Sequence, residues 1–304
     1  MAPKINRIDA TLFAITVLAW GTTWYVILGQ FGVVHPIVSV GWRFLLASIT
    51  MLGICRFRGE RLALTVKEHA LCAILGLFLF CLNYGLFYTA SLTLTTGLIS
   101  VIFSTMVFWN ALGAHWFLKQ PLDYRALLGG GIGVFGLIIL FRVELLGFSW
   151  VSSGSIALLL SLLGTLAASV GNLVSAILQK RDLNVWNSTA FGMMYGTAIT
   201  FMFALINGYP IRFDFSPIYV GSLLYLVFIG SVVAFGAYLT LIGRIGPGRA
   251  AYATVSFPVV AIIVSVLFEG YELSLAALFA FCLVMLGNWL ALTERRAQKS
   301  PCRA

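Results

Sequence analysis

Ten stretches of about twenty apolar residues follow one another along this chain, with only short connections between them. They fall at about 9–29, 36–55, 69–90, 96–118, 124–141, 154–179, 188–207, 217–241, 249–268 and 273–292. A helix needs about 20 such residues to cross the hydrocarbon of a bilayer, so each stretch has the length of one span. The chain has 304 residues, 61% hydrophobic and 10% charged, against roughly 25% charged residues in a soluble protein. It cannot cover itself with a water-facing surface. The stretches lack the period-two alternation of a membrane β-barrel. The predicted fold class is all-α integral membrane.

The formal net charge of +9 is explained by its placement. With the N-terminus assigned to the cytoplasm, 16 of the 19 Lys and Arg residues fall on that side. Arg142 and Arg212 fall on the other, and Arg43 lies inside a span. The positive-inside rule then puts both termini in the cytoplasm, as in a multi-pass protein of a bacterial inner membrane. The basic excess orients the chain and meets anionic lipid; no nucleic-acid partner is expected. The first stretch lacks an evident cleavage site and reads as a retained helix. The five cysteines have no metal spacing and read as small hydrophobes.

Shifted by 151 residues, the second half lies over the first without a gap from about Asn83 to Leu137. Gly85 falls on Gly236, Thr89 on Thr240, Gly97 on Gly248 and Gly136 on Gly287. Each half holds five spans, an odd number, so the second must enter the membrane upside down. Equivalent connections change charge accordingly. "SLTLTTG" (91–97) is uncharged and its counterpart "IGRIGPG" (242–248) is basic, whereas "LKQPLDYR" (118–125) is basic and "EGYELSLA" (269–276) is acidic. The expected architecture is ten transmembrane helices in an inverted five-plus-five helix repeat, with units at 9–141 and 154–292. The Gly-rich 242–248 stretch lacks the Lys and hydroxyl of a phosphate loop. It reads as a cytoplasmic turn, with the ninth helix starting near Gly248.

The segment from Gly248 to Leu292, with its mid-span Pro and acidic end, resembles the closing unit of the EamA-like family in the drug/metabolite transporter superfamily. "LAWGTTWYV" (18–26) and "WRFLLAS" (42–48) are similar to that family's first- and second-helix motifs. The resemblance covers about residues 9–292, and its aromatic content is most like the YddG-type exporters of aromatic amino acids. It implies a central cavity built from helices 1, 3, 4, 6, 8 and 9. It departs from the family at Met106-Val107, where many members carry a Pro pair, so the two halves should bend differently.

Candidate substrate-binding residues share helical faces at three- and four-residue spacing. They are Trp20 and Trp24 in the first span, Asn83, Tyr84 and Tyr88 in the third, and Trp109 in the fourth. Asn172 in the sixth span and Tyr252 and Ser256 in the ninth extend the set. Arg43 is the one clearly intramembrane charge, suited either to a substrate carboxylate or to a structural role. Pro258 frees the carbonyl of Thr254 and is a candidate hinge together with Gly248. Helix 5 carries a GxxxG from Gly129 to Gly133, read as packing within one chain, and a monomer is expected.

All ten acids map to connections or span ends. The partner is therefore expected to be a small solute, near neutral and partly apolar, such as an amino acid. Export by alternating access, facilitated and uncoupled, is the simplest mechanism, with a proton-coupled exporter as the alternative. A membrane enzyme needs a nucleophile with a base, or a metal cluster. His35, His69 and His115 lie near span ends without paired acids, so neither catalysis nor a cofactor is expected. A lipid-binding scaffold remains the other alternative class.

Overall fold

The computed structural model describes residues 7–60, 62–119, 124–140, 152–181, 183–245 and 252–292. Among these residues there are helices and connections but no strand. The helices join end to end into ten rods. Rod α1 is Arg7–Val26, prolonged by a 3-10 turn over Ile27–Gln30, and α2 is Pro36–Phe57. Rod α3 is Val66–Leu75, a π-helical turn at Gly76–Leu82, then Asn83–Ala90. Rod α4 is Thr96–Ser104 and Met106–Leu118, interrupted at Thr105. Rods α5, α6 and α7 are Tyr124–Leu140, Ser153–Gln179 and Val185–Ile206. Rod α8 is Pro217–Val227, a second π-helical turn at Phe228–Val233, then Ala234–Ile245. Rods α9 and α10 are Tyr252–Phe268 and Leu275–Leu292.

Seven rods are long and apolar enough to cross a membrane by length and composition; α5, α9 and α10 contain shorter apolar helices. Large apolar side chains face outward around the bundle, with Ile49, Met202 and Phe279 each more than half exposed. A water-soluble surface does not carry such a continuous apolar belt, and lipid is the solvent that suits it. The protein is a multi-pass membrane protein. Hydroxyls inside the rods turn back on their own helix, as Thr16 Oγ1 donates to the Leu12 carbonyl at 2.8 Å and Thr200 Oγ1 to Gly196 at 2.7 Å.

Local chemistry sets where several rods begin. Thr65 and Glu68 form a reciprocal capping box at the start of α3. Asn184 caps α7, and Ser216 caps α8 ahead of Pro217. His35 caps α2, its Nδ1 accepting from the Ile37 N–H at 3.3 Å while the ring stacks on Tyr209 at 3.7 Å. Burial lowers the His35 pKa below 6.5, and a proton on Nδ1 would displace the cap. The unfolded chain therefore takes up this proton first, so stability falls as the pH drops through 6.5 and levels off below the lowered folded value. His35→Asn keeps a cap without titrating, and this part of the pH dependence of thermal unfolding should disappear in it.

Packing between the rods is paired. Rod α5 lies along α10 and α2 along α7, while α1 packs on α9 and α8 much as α6 packs on α4 and α3. The α5–α10 seam gives the clearest detail. A Cβ on Gly287 would lie 2.7 Å from the Gly133 amide nitrogen and closer still to the Gly129 carbonyl oxygen. A Cβ on Gly136 would lie 2.8 Å from the Ala280 carbonyl oxygen and 2.9 Å from Val284 Cγ2. Residues 129, 133 and 136 are each 151 positions before 280, 284 and 287, so the contact is the same from either side. The GxxxG face of α5 is thus occupied within the chain.

The two π-helical turns obey the same offset, since residues 77–82 and 228–233 are 151 apart. In α4 the interruption falls at Thr105, whereas α9 runs unbroken through Pro258. The halves differ here in helix continuity, and the interruption is in the half without proline.

At one end of the bundle, α9 is tied to α4. The Glu269 carboxylate accepts from the Thr96 amide at 2.9 Å and from the Thr96 and Ser265 hydroxyls. Ser265 Oγ in turn accepts from the Gly97 amide at 2.8 Å. An anion here satisfies amides left without partners at the start of α4. At the other end, Arg244 of α8 reaches Asp9 of α1 at 2.5 Å.

Candidate functional site

A cavity of about 100 Å³ lies between the halves, lined by residues of α1, α2, α3, α4, α6, α8 and α9. A water needs roughly 10–15 Å³ on such a measure, so the space is larger than a packing defect. Half of its wall is aromatic. Trp20 and Trp24 are one turn apart on α1 and enter the same space. Trp20 meets Phe235 and Tyr238 with centroids at 5.4 and 5.1 Å. Trp24 meets Phe87 at 5.3 Å and Phe103 at 5.7 Å, and stacks on Phe257 at 6.2 Å. These edge-to-face and tilted arrangements leave ring faces and edges for a flat apolar solute.

The polar part of the wall is sparse. Asn83 Nδ2 donates to the Gly164 carbonyl at 2.9 Å, which ties α3 to α6, and Asn172 Nδ2 reaches Met106 Sδ at 3.2 Å. The Trp20 indole N–H is buried without an acceptor among the described residues, an available donor for a bound solute. Arg43 is the charged residue of the wall. Its side chain is 1% exposed, lies over the Tyr84 ring at 4.7 Å, and donates to Ser231 Oγ at 3.2 Å and Tyr88 OH at 3.3 Å. Ser231 is held by the π-helical turn of α8, where its hydroxyl donates to the carbonyl of Leu226, five residues back. The hydroxyl thus gives its proton to its own helix and offers its oxygen as an acceptor to Arg43 across the bundle.

Six of the residues singled out in the sequence meet at this cavity: Trp20, Trp24, Arg43, Asn83, Tyr84 and Asn172. Tyr88 is fully buried behind it as a partner of Arg43. Trp109 and Ser256 are half-buried and do not line it. Trp109 lies beyond the interruption of α4, in ring contact with Phe108 at 5.1 Å. Pro258 is buried in α9 next to the lining residue Phe257. Gly248 lies outside the described residues; Tyr252 opens α9, and its side chain also lies outside them.

Phe235 and Tyr238 of α8 were not among the candidate substrate-binding residues, and neither were Phe103, Met106, Thr254 and Phe257. The signal for them was present. Residues 84, 87, 103 and 106 are each 151 positions before 235, 238, 254 and 257, and all eight line the cavity. Projecting the aromatic face of the third span through the repeat would have found α8.

Comparison with known proteins agrees with this architecture. The model of the EamA-like transporter family matches residues 8–142 and again 155–293. The inner membrane transporter YedA of Escherichia coli K12, of uncharacterized function, is 29% identical over 92% of this chain and 90% of its own length. A probable amino-acid metabolite efflux pump of Salmonella typhimurium is 24% identical over 97% of this chain and 98% of its own. A solved chain described as "Crystal structure of protein" superimposes with a TM-score of 0.67 at 15% identity, covering 93% of this chain and 96% of that one. That likeness concerns the fold alone. With both halves matched by one family model, the chain belongs to the EamA-like transporter family.

Proposed function

We propose that the protein exports amino acids with aromatic or other apolar side chains, or metabolites of similar amphipathic form, by alternating access across a bacterial inner membrane. The observation that carries this reading is the aromatic cavity between two halves, walled in pairs by positions 151 residues apart. Such a wall supports an inverted five-plus-five repeat with units at 9–141 and 154–292, in which each half presents equivalent side chains to one central solute. The pairing of the α5–α10 seam and of the two π-helical turns supports the same reading. Both termini then face the cytoplasm, a reading the distribution of basic residues supports, and one chain suffices for transport.

Trp20, Trp24, Tyr84, Asn83, Asn172 and Arg43 contact the solute in this reading, with Pro258 beside Phe257 as a flexible point. Among the described residues of the wall there is no carboxylate, which favours uncoupled transport down the solute gradient as the simplest mechanism. The relatives named as amino-acid metabolite efflux pumps are consistent with the solute class.

Purified protein in liposomes loaded with labelled phenylalanine tests the proposal. Saturable efflux should appear and should not change when a pH gradient is imposed. Efflux that requires the gradient would overturn the uncoupled mechanism. An absence of flux for phenylalanine, tryptophan, threonine and a phosphorylated sugar alike would overturn the export reading.

A further inference from the structure

Resting on the export reading above, we infer that Arg43 is the cavity's receptor for a carboxylate, so that the solute must carry this anionic head as well as an apolar body. A guanidinium presents five N–H donors in a planar fork. Arg43 Nε is directed at Ser231 and Nη1 at Tyr88, which accounts for two of the five. Among the described residues no carboxylate lies within ion-pair distance of it. The flanking groups are two hydroxyls and the Tyr84 and Phe44 rings. They hold the fork in place and leave its charge uncompensated.

Burying a cation this way is costly unless an anion meets it. A group kept only for packing would be better served by an apolar side chain of similar size. Arg43 is instead part of the cavity wall, and the fork packs closely on α8. Nη2 lies 3.2 Å from where a Cβ on residue 230 would stand, and that residue is Gly230, inside the π-helical turn. A planar fork matches a carboxylate with two parallel hydrogen bonds, which a lysine ammonium does not reproduce. A single buried cation suits a monoanion, whereas a phosphate dianion calls for further positive groups, and among the described residues of the wall Arg43 stands alone in charge. Beyond the fork lie the rings of Trp20, Trp24 and Phe257, which accept the body of the solute. A cation and aromatic rings on one wall thus select amphipathic acids and discriminate against amines and amides of equal shape.

Tryptophan fluorescence of the purified protein reads this selection, because Trp20 and Trp24 face the cavity. Two pairs of ligands isolate the head group: phenylalanine with phenylalaninamide, and 3-phenylpropionate with 3-phenylpropanamide. Each acid should bind at least about tenfold more tightly than its amide, on the order of 1.4 kcal/mol. Arg43→Lys should weaken both acids more than it weakens 3-phenylpropanamide, so that the preference for the acid shrinks, and measurable binding of the amide shows that the variant is folded. The measurements on the unaltered protein stand even where a variant does not fold. Equal affinity of acids and amides, together with efflux of both, would overturn the inference and leave the export reading intact. Failure of all four ligands to bind or to be exported would overturn both.

Discussion

Gly287→Leu should abolish the folded protein, whereas Gly131→Leu should be tolerated. The two substitutions add the same side chain to the same pair of adjoining rods. A side chain at Gly287 runs into the Gly129 carbonyl oxygen and the Gly133 amide nitrogen, both of them backbone. No rotamer change relieves that contact, so α5 and α10 must move apart along their length. Overpacking against movable side chains costs about 1–3 kcal/mol, and a collision with backbone costs more. Marginal stabilities of about 5–15 kcal/mol leave little margin for the loss of a whole seam. At Gly131 an added Cβ meets nothing within 4 Å. There the change should instead stabilise the helix by up to about 1 kcal/mol, because leucine favours helix over glycine. Thermal unfolding of the detergent-solubilised variants, followed by size-exclusion profile, checks both. Comparable stability of the two variants would remove the α5–α10 seam from the account. Gly136→Leu, whose Cβ would meet the Ala280 carbonyl oxygen at 2.8 Å, should fail for the same reason as Gly287→Leu.

These glycines also mark how far the sequence can be read. The apolar stretches fall on the rods of the described residues, seven of them long and apolar enough to cross a membrane, because a span must be continuous and apolar to satisfy its own backbone. The same stretches concealed the two π-helical turns. A single extra residue in a helix leaves hydropathy unchanged, and "GLFLFCL" and "FIGSVV" share no sequence signature. What places those turns is contact with other rods, as where Gly76 lies against the backbone of Gly192 and Gly196 in α7. The interruption of α4 at Thr105 was hidden for a related reason. Proline is the usual sign of a bend, and here the proline lies in α9, which remains one helix.

The candidate site was legible in proportion to how unusual its residues are inside lipid. Arg43, Asn83 and Asn172 stand out because polar groups at that depth need a partner or a purpose. Trp20 and Trp24 stand out by their spacing along one face. Phe103, Phe235 and Phe257 do not, since phenylalanine is an ordinary lipid-facing residue and only packing tells an inward ring from an outward one. Trp109 looks equivalent to Trp24 in the sequence, being a tryptophan well inside a span. The difference is position along α4: Phe103 and Met106, on either side of the break at Thr105, line the cavity, and Trp109, the next turn on, does not.

That difference has a measurable consequence. In liposomes Trp24→Ala should reduce the efflux of phenylalanine at least about tenfold, while Trp109→Ala should leave its KM unchanged. The Trp24 ring touches Phe87 of α3, Phe103 of α4 and Phe257 of α9. Its removal opens the wall at the point where side chains of α1, α3, α4 and α9 meet. Deleting so large a ring also costs stability, about 3–5 kcal/mol for a buried aromatic, so lost efflux alone does not prove contact. Trp24→Phe separates the two effects. It keeps a ring against the same three neighbours and should retain most of the flux, with any loss falling on KM. Trp109→Ala removes an equally large side chain from the same protein and reports what loss of packing alone does. If Trp109→Ala abolished efflux and Trp24→Ala did not, the solute path would run past the second part of α4, and the cavity between the halves would not be the binding site.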